Sequence, residues 1–285
     1  MQWFILALSA AVFTAIYYIL VKRYIKNTNE FVLSSGTIFV AAIILLSISL
    51  GRGIPTIGKE FYLAVLVTGT LNVLATALQY KALKTADLSL AAPMLSFTPV
   101  FLILTSFIIL GELPTYIGIL GIVFIVSGSY VLAMTPKQKP LDPFRKLFAN
   151  TGTASYLLVA FIYSITANFD KKAVIASDVY FGTALSFLII SGGLFICGAG
   201  RDKMIAEYWE NKWKFIMLGV ILACSAIAAN TALTQQIVPY VIAIKRLSIL
   251  FVVLYGIILL KETDGRQRLL GASIMLIGVL AILLL

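Results

Sequence analysis

Uncharged runs of about twenty residues recur along the whole chain, and they constrain the fold more than any other feature. A helix needs a run of this length to cross a hydrocarbon core about 30 Å thick. The eighth and ninth runs are separated only by polar residues and a proline, but residues 215–260 are too long for one crossing. The predicted spans are residues 2–21, 31–50, 61–80, 88–110, 115–134, 152–169, 179–199, 215–233, 238–260 and 268–285.

These spans are predicted to be helices, which makes the fold class all-α and the chain a polytopic membrane protein of about ten transmembrane helices. Strands of a membrane barrel alternate apolar and polar residues over about ten positions, whereas residues 117–126 are apolar throughout. The composition agrees, with 61% hydrophobic and 12% charged residues. A soluble chain is roughly half apolar and a quarter charged, so a water-soluble fold is excluded.

The basic residues are distributed unevenly over the predicted loops. Of the 22 Lys and Arg, sixteen lie in odd-numbered loops, and four (Arg52, Lys59, Lys171 and Lys172) are assigned to even-numbered loops. The positive-inside rule then places the odd-numbered loops in the cytoplasm and both termini outside, in a prokaryotic cytoplasmic (inner) membrane. Because this pattern explains the net charge of +10, no nucleic-acid partner is predicted.

The chain also shows an internal repeat at an offset of 150 residues. Chance matching of apolar helices is the alternative, because Leu, Ile and Ala match by composition alone. The offset aligns polar and glycine positions as well: Gly111-Glu112 with Lys261-Glu262, Gly121 with Gly271, Gly128 with Gly278, and Lys22 with Lys172.

The repeat predicts three segments: a first five-helix unit at residues 1–134, a basic linker loop at 135–151, and a second five-helix unit at 152–285. Five crossings are an odd number, so the second unit enters the membrane from the opposite side. The two units are therefore predicted to be inverted repeats, a design that recurs in transporters.

Two short motifs carry a resemblance to a known family. The first runs from Pro99-Val100-Phe101 to Leu110-Gly111-Glu112 and precedes the glycine-spaced span 115–134. The second copy covers residues 249–262, with Ile249 in place of the proline and Lys261 in place of the glycine. This pattern resembles the EamA-like domain of the drug/metabolite transporter superfamily. The resemblance implies ten helices and a central cavity lined mainly by spans 1, 3, 4, 6, 8 and 9, with spans 5 and 10 away from it. It implies no particular substrate, since members carry amino acids, sugars, nucleotide sugars and drugs.

Lys245 and Arg246 are the sharpest candidates for a binding site. They lie seven and eight residues into span 238–260, about 10 to 12 Å below its start at 1.5 Å per residue. Each charge at that depth costs about 2.5–3.5 kcal/mol, which disfavours a lipid-facing position. One interpretation is a site for a carboxylate or phosphate. The alternative is structural, with side chains that snorkel or bind the carbonyl groups of a broken helix.

Other polar residues within spans complete the predicted substrate site. Pro93 and Pro99 bracket Ser96 and Thr98, where a kink either exposes polar groups to a cavity or shapes the packing. Amides within spans need a partner, either cargo or another helix, and tyrosines combine an apolar face with a hydroxyl; Tyr18 is alternatively an interfacial anchor. The predicted substrate-binding residues are Lys245, Arg246, Asn72, Ser96, Tyr17, Tyr163 and Asn230.

Several kinds of residue are missing from the predicted spans. Every Asp and Glu, including Asp170, is assigned to a span end or a loop, which argues against export of cationic drugs through an intramembrane carboxylate. The chain has no histidine, no cysteine cluster and no phosphate-binding glycine loop. No metal, no cofactor and no enzymatic activity are therefore predicted.

These observations predict a secondary, alternating-access transporter of a small metabolite. Its cargo is expected to be anionic or zwitterionic, such as an amino acid or an organic or phosphorylated acid. The alternatives are a flippase for a lipid or lipid precursor, and a non-transporting sensor or partner subunit on the same scaffold. The expected partners are this small molecule and the membrane lipids, and a monomer is compatible with the pattern.

Overall fold

The computed structural model describes residues 1–85, 94–134, 151–199, 204–260 and 265–284. These residues contain α-helices and no strand, which confirms the all-α prediction for this part of the chain. The helices are α1 (Gln2–Tyr24), α2 (Glu30–Arg52), α3 (Phe61–Thr85), α4 (Thr98–Leu110), α5 (Tyr116–Ala133), α6 (Thr151–Ile175), α7 (Val179–Gly198), α8 (Met204–Glu210), α9 (Lys212–Gln235), α10 (Val238–Lys245), α11 (Leu247–Leu260) and α12 (Gly265–Leu283).

Membrane-spanning character follows from the length and hydropathy of these helices. Within the described ranges, six helical segments are long and apolar enough to cross a bilayer, and three shorter apolar helices accompany them. The chain is therefore an integral membrane protein. The six are Gln2–Tyr24, Glu30–Arg52, Phe61–Gln79, Val179–Gly198, Lys212–Gln235 and Val238–Gly256, and the shorter ones are Thr98–Leu110, Tyr116–Leu132 and Gln267–Leu283.

Helices of the first half pack mainly against helices of the second half. Helix α1 lies along α9, and α3 lies along α6. Helix α2 packs against both α7 and α9, and α3 also packs against α7. Helix α4 contacts α6 while α11 contacts α1, and α5 lies along α12. The interior of the protein is thus the interface between the two halves.

Close glycine contacts join α5 to α12. A Cβ atom added at Gly121 would lie 2.8 Å from the carbonyl oxygen of Gly278, and one at Gly128 would lie 2.6 Å from that of Gly271. The two backbones approach this closely because these positions have no side chain. Gly121 meets Gly278 and Gly128 meets Gly271, so residue numbers rise along α5 while those of their partners on α12 fall. The two helices are therefore antiparallel.

Two interruptions break the helices at related positions. Residues 96–97 form a turn before α4, and Arg246 forms a turn between α10 and α11. The amide of Arg246 donates to the carbonyl of Ala243 at 3.1 Å, and the amide of Phe97 donates to that of Met94 at 3.2 Å. Both bonds span three residues, and the amide of Arg246 also donates to the carbonyl of Ile242 at 3.1 Å in the ordinary helical pattern. Ser96 and Arg246 are 150 residues apart, the offset of the sequence repeat. Pro93 and the Lys261-Glu262 pair lie outside the described residues.

The predicted boundary between the eighth and ninth spans is confirmed, since α9 ends at Gln235 and α10 begins at Val238. Two predicted ends fall short by five residues or more, and the first is that of α3, which continues to Thr85 and not to 80. Helix α6 continues to Ile175, six residues beyond the predicted end at 169, so Asp170, Lys171 and Lys172 belong to the helix and not to a loop. The helix continues through these charges because each one has a polar or charged partner on a neighbouring segment.

Candidate functional site

A cavity of about 290 Å³ lies between the two halves of the protein. Its walls come from α1, α3, α6, α9, the α10–α11 break and the turn that precedes α4, the same six spans that the resemblance implies. The polar residues of the lining are Thr14, Tyr17, Tyr18, Asn72, Gln79, Thr98, Thr166, Tyr163, Asp170, Ser225, Lys245, Arg246 and Ser248. A pocket of this size and polarity suits a small polar solute.

Lys245 and Arg246 enter this cavity from the break between α10 and α11. Helix α10 is packed against α1, α4 and α5, so the pair is enclosed by protein at this depth. The Nε atom of Arg246 is buried and has no hydrogen-bond partner among the described residues. Within the described part of the chain, neither cation makes an ion pair with a carboxylate. The break therefore presents two positive charges to the cavity without neutralising them locally.

Asp170 supplies a negative charge to the same cavity. Its Oδ1 atom accepts a hydrogen bond of 2.6 Å from the hydroxyl of Thr68 on α3, and the Thr68 hydroxyl is also 3.2 Å from the carbonyl oxygen of Thr166. Asn72 donates to the backbone carbonyl of Thr68 at 2.8 Å and so fixes the neighbouring turn of α3. The carboxylate is thus held in place by a helix contact between the two halves. The prediction that every acidic residue lies at a span end or in a loop is wrong at this position.

Further hydrogen bonds join the cavity walls across the two halves. The hydroxyl of Tyr163 on α6 donates to the Oε1 atom of Gln79 on α3 at 3.1 Å. The hydroxyls of Thr14 on α1 and Ser225 on α9 are 2.8 Å apart. In the ranges that the structure describes, no group of three or more His, Cys, Asp or Glu residues is arranged to hold a metal ion. The lining chemistry is that of charged groups, hydroxyls and amides.

The seven residues predicted for the site fall into two groups. Tyr17, Asn72, Tyr163, Lys245 and Arg246 line the cavity together. The remaining two are placed elsewhere, and each has an identifiable environment.

Asn230 points to α7, where its Nδ2 atom donates to the hydroxyl of Thr183 at 2.6 Å. This is the helix-to-helix alternative for that amide. Ser96 is fully buried in the turn before α4, and its hydroxyl has no hydrogen-bond partner. Its neighbours Leu95 and Thr98 line the cavity, but Ser96 is not part of the lining.

Asp170 is the charged lining residue that sequence reasoning missed, and the neutral polar ones that it missed are Thr14, Gln79, Thr166, Ser225 and Ser248. Three consecutive charges at 170–172 indicate a loop by composition. The repeat contains a better signal, because helix α1 ends at Tyr24 and the offset of 150 places the corresponding end of α6 at 174. That alignment would have put Asp170 inside the helix.

A buried ion pair beside the cavity links α6 to two of the even-numbered loops. The Nζ atom of Lys171 lies 2.5 Å from Oε1 of Glu112, and the two side chains are only 11% and 14% exposed. Lys171 also donates to the carbonyl of Gln236 at 2.7 Å, while Oε2 of Glu112 accepts from the amide of Val238 at 2.8 Å. The start of α10 is therefore fixed to α6 and to the α4–α5 loop, which we name the Glu112–Lys171 clamp.

Comparisons with known proteins find a matching family, a relative and a solved structure of similar fold. A family model described as the EamA-like transporter family matches residues 1–134 and 150–284. An uncharacterized transporter from Archaeoglobus fulgidus is 23% identical over 290 residues, covering 98% of this chain and 97% of that protein. A solved crystal structure superposes with a TM-score of 0.76 at 12% identity, covering 98% of this chain and 96% of that one. At this identity the structural likeness shows the fold alone.

Proposed function

This chain belongs to the EamA-like transporter family, and on that basis we propose that it is a secondary transporter of a small anionic or zwitterionic metabolite. The cargo binds in the 290 Å³ cavity beside Lys245 and Arg246. The family and the transporter relative support transport across a membrane as the general activity. The class of cargo rests on the chemistry of the cavity.

The observation that carries the proposal is the pair of cations at the α10–α11 break. Two charges at this depth cost about 5–7 kcal/mol on scales of 2.5–3.5 kcal/mol each, a cost that a structural role would offset with fixed partners. No carboxylate of the described residues pairs with either cation, and the buried Nε of Arg246 has no partner. An acidic group of the cargo supplies the partner that Lys245 and Arg246 lack among the described residues. Arg246 offers a planar fork that fits a carboxylate or phosphate, and Lys245 offers a point charge.

Alternating access is proposed to arise from inverted repeats. The offset of 150 exchanges α1 with α6, α3 with α9, α2 with α7, and α5 with α12. Under this exchange the α1–α9 contact becomes the α6–α3 contact, and α2–α7 and α5–α12 map onto themselves. The Gly121–Gly278 contact likewise becomes the Gly271–Gly128 contact. This reciprocal, antiparallel pattern supports a two-fold axis in the membrane plane, about which the halves rock around the cargo.

The orientation is part of the same proposal. The excess of Lys and Arg in odd-numbered loops supports a cytoplasmic position for those loops in a prokaryotic inner membrane. The Glu112–Lys171 clamp then lies on the outer side of the cavity, since Glu112 and Gln236 lie in even-numbered loops and Lys171 lies near the end of α6 that leads to another. Transport proceeds without ATP hydrolysis, because the sequence has no phosphate-binding glycine loop.

The proposal is tested by ligand-dependent thermal stability of the protein purified in detergent. A panel of carboxylates, phosphorylated acids, sugars, cations and lipids is screened against the wild type, Lys245→Ala and Arg246→Ala. A ligand at 100 times its Kd stabilises the folded state by about 2.7 kcal/mol, which corresponds to a rise in Tm of about 5 °C or more. Lys22→Ala and Arg23→Ala serve as controls, because both residues are exposed at the end of α1.

We expect acids to raise the Tm of the wild type and of both controls, and to lose most of this effect in the two cavity variants. Equal stabilisation of all five proteins by acids contradicts the proposal. Stabilisation only by cations, neutral sugars or lipids also contradicts it, and the lipid result favours a flippase.

A further inference from the structure

Asp170 places an acidic group opposite the two cations within one cavity. Lys245 and Arg246 come from the α10–α11 break, whereas Asp170 comes from α6 and is held by Thr68 of α3. All three line the same cavity, yet Asp170 forms no ion pair with Lys245 or Arg246 at 4.0 Å or less. The three charges therefore border one cavity without a direct ion pair between them, while Asp170 and Lys245 still attract each other electrostatically.

The contact between Asp170 and α3 is one neutral hydrogen bond, and Asp170 makes no ion pair within the described residues. The structural ion pairs at this end of α6 are made by its neighbours, with Lys171 bound to Glu112 and Lys172 bound to Glu60. Thr68 supplies a single neutral hydrogen bond to one oxygen of the Asp170 carboxylate. A carboxylate binds a cation more strongly than a hydroxyl, so the second oxygen is available for a positively charged group.

The three charges together define a complementary ligand. Two cations and one carboxylate match a molecule that carries two acidic groups and one ammonium group. A plain dicarboxylate would leave Asp170 facing negative charge, and a neutral zwitterion would leave one cation without a partner. Charge complementarity of this kind acts as strongly by repelling wrong ligands as by attracting the right one.

We propose that Asp170 is the ammonium-binding residue of the cavity and that the cargo is a small amino compound with two acidic groups, such as an acidic amino acid. In the complex, the ammonium donates to Asp170 while the acidic groups accept from Lys245 and Arg246. This inference rests on the proposed function, since it assigns the cargo of the same cavity.

The test compares three ligands that differ at one position. L-Glutamate carries an α-ammonium group, L-2-hydroxyglutarate replaces it by a hydroxyl, and glutarate has a hydrogen there. Their affinities are measured by isothermal titration calorimetry on the full chain in detergent. Because a hydrogen bond between charged groups contributes about 1.5–3 kcal/mol, we expect wild type to bind L-glutamate about tenfold or more tightly than either analogue.

The variant Asp170→Asn distinguishes a binding role of Asp170 from a structural role. A binding role predicts that the affinities for L-glutamate and glutarate change in opposite directions. The amide oxygen of the substituted side chain still accepts from Thr68, but the negative charge is gone. We expect this variant to bind L-glutamate about tenfold more weakly and glutarate more tightly than wild type, because two cations then face two carboxylates. Glu210→Gln, at an exposed position on α8, is the control for loss of one acidic charge and is expected to change neither affinity.

Each of four outcomes overturns the inference. The first is that wild type binds the three ligands equally well. The second is that Asp170→Asn weakens the binding of L-glutamate and of glutarate together, which is the effect expected of a merely structural residue. If wild type binds none of the three, this inference is contradicted, and the thermal-stability panel decides separately whether the cavity binds another acid. If glutarate binds to wild type in a manner that needs Arg246 and L-glutamate binds no better, the proposed function survives and the inference fails. The wild-type comparison decides the matter even if Asp170→Asn does not fold.

Discussion

Replacing Lys171 by methionine removes the cation of the Glu112–Lys171 clamp while keeping a side chain of similar length. Lys171 contributes a 2.5 Å ion pair to Glu112 and a 2.7 Å hydrogen bond to the Gln236 carbonyl. The side chains of Lys171 and Glu112 are 11% and 14% exposed, so the two form a buried ion pair. In such a pair, removal of one charge costs about 3–5 kcal/mol, because the other charge is left uncompensated.

The lower end of that range applies, since Glu112 keeps its hydrogen bond from the Val238 amide. A loss of about 3 kcal/mol lowers the Tm of a chain this size by about 6 °C or more. Glu112→Gln is expected to cost less, because the amide oxygen still accepts from Val238. In the double variant the two losses are less than additive by at least about 1 kcal/mol, as expected for residues in direct contact.

The measurement is thermal unfolding of the four proteins in detergent, followed by tryptophan fluorescence at one fixed scan rate. Lys172→Met is the matched control. Lys172 adjoins Lys171 and pairs with Glu60 at 3.1 Å, but with exposures of 25% and 65%. A surface pair of this kind contributes about 0–1 kcal/mol. The reasoning is refuted if Lys171→Met and Lys172→Met lower the Tm equally, or if the effects of Lys171→Met and Glu112→Gln add.

Three further predictions concern packing and polar groups away from the cavity. Gly128→Ala should lower the Tm by several degrees, because a Cβ there would lie 2.6 Å from a backbone carbonyl oxygen of α12, whereas Gly192→Ala meets no atom within 4 Å and should not. Asn230→Leu removes the 2.6 Å bond to Thr183; it should cost about 1 kcal/mol in unfolding experiments and leave acid binding unchanged in calorimetry. Ser96→Ala should raise the Tm of the unliganded protein, since it removes a buried hydroxyl that has no partner; a fall would show that this hydroxyl is bound.

Helix positions were predictable wherever the length of an uncharged run decides them. The second span was predicted at 31–50 and found as Glu30–Arg52, and the seventh at 179–199 and found as Val179–Gly198. The end of α6 was not predictable in this way. Asp170 is paired with Thr68, 102 residues away, and Lys171 with Glu112, 59 residues away. Local composition does not contain such contacts, so the charges were assigned to a loop.

The residues of the site also divide into those that the sequence alone indicates and those that depend on contacts between distant segments. Lys245 and Arg246 were found from the sequence because charge is costly inside an apolar span, whatever surrounds it. The position of Asn230 depends on how α9 is rotated against α7, and hydropathy does not determine that rotation. Asp170 can be placed inside a helix only if the repeat is used to predict the length of α6, and not merely as evidence of duplication.

The central claim is that Arg246 and Lys245 bind an acid that the protein then carries across the bilayer. It is tested most directly by counterflow in proteoliposomes without ATP. The vesicles are loaded with the unlabelled acid that stabilises the protein best, and entry of the radiolabelled acid is followed over time. We expect wild type and Arg23→Ala to accumulate label transiently, and Arg246→Ala to resemble protein-free vesicles. Equal accumulation by wild type and Arg246→Ala, or no accumulation by wild type, would contradict the account.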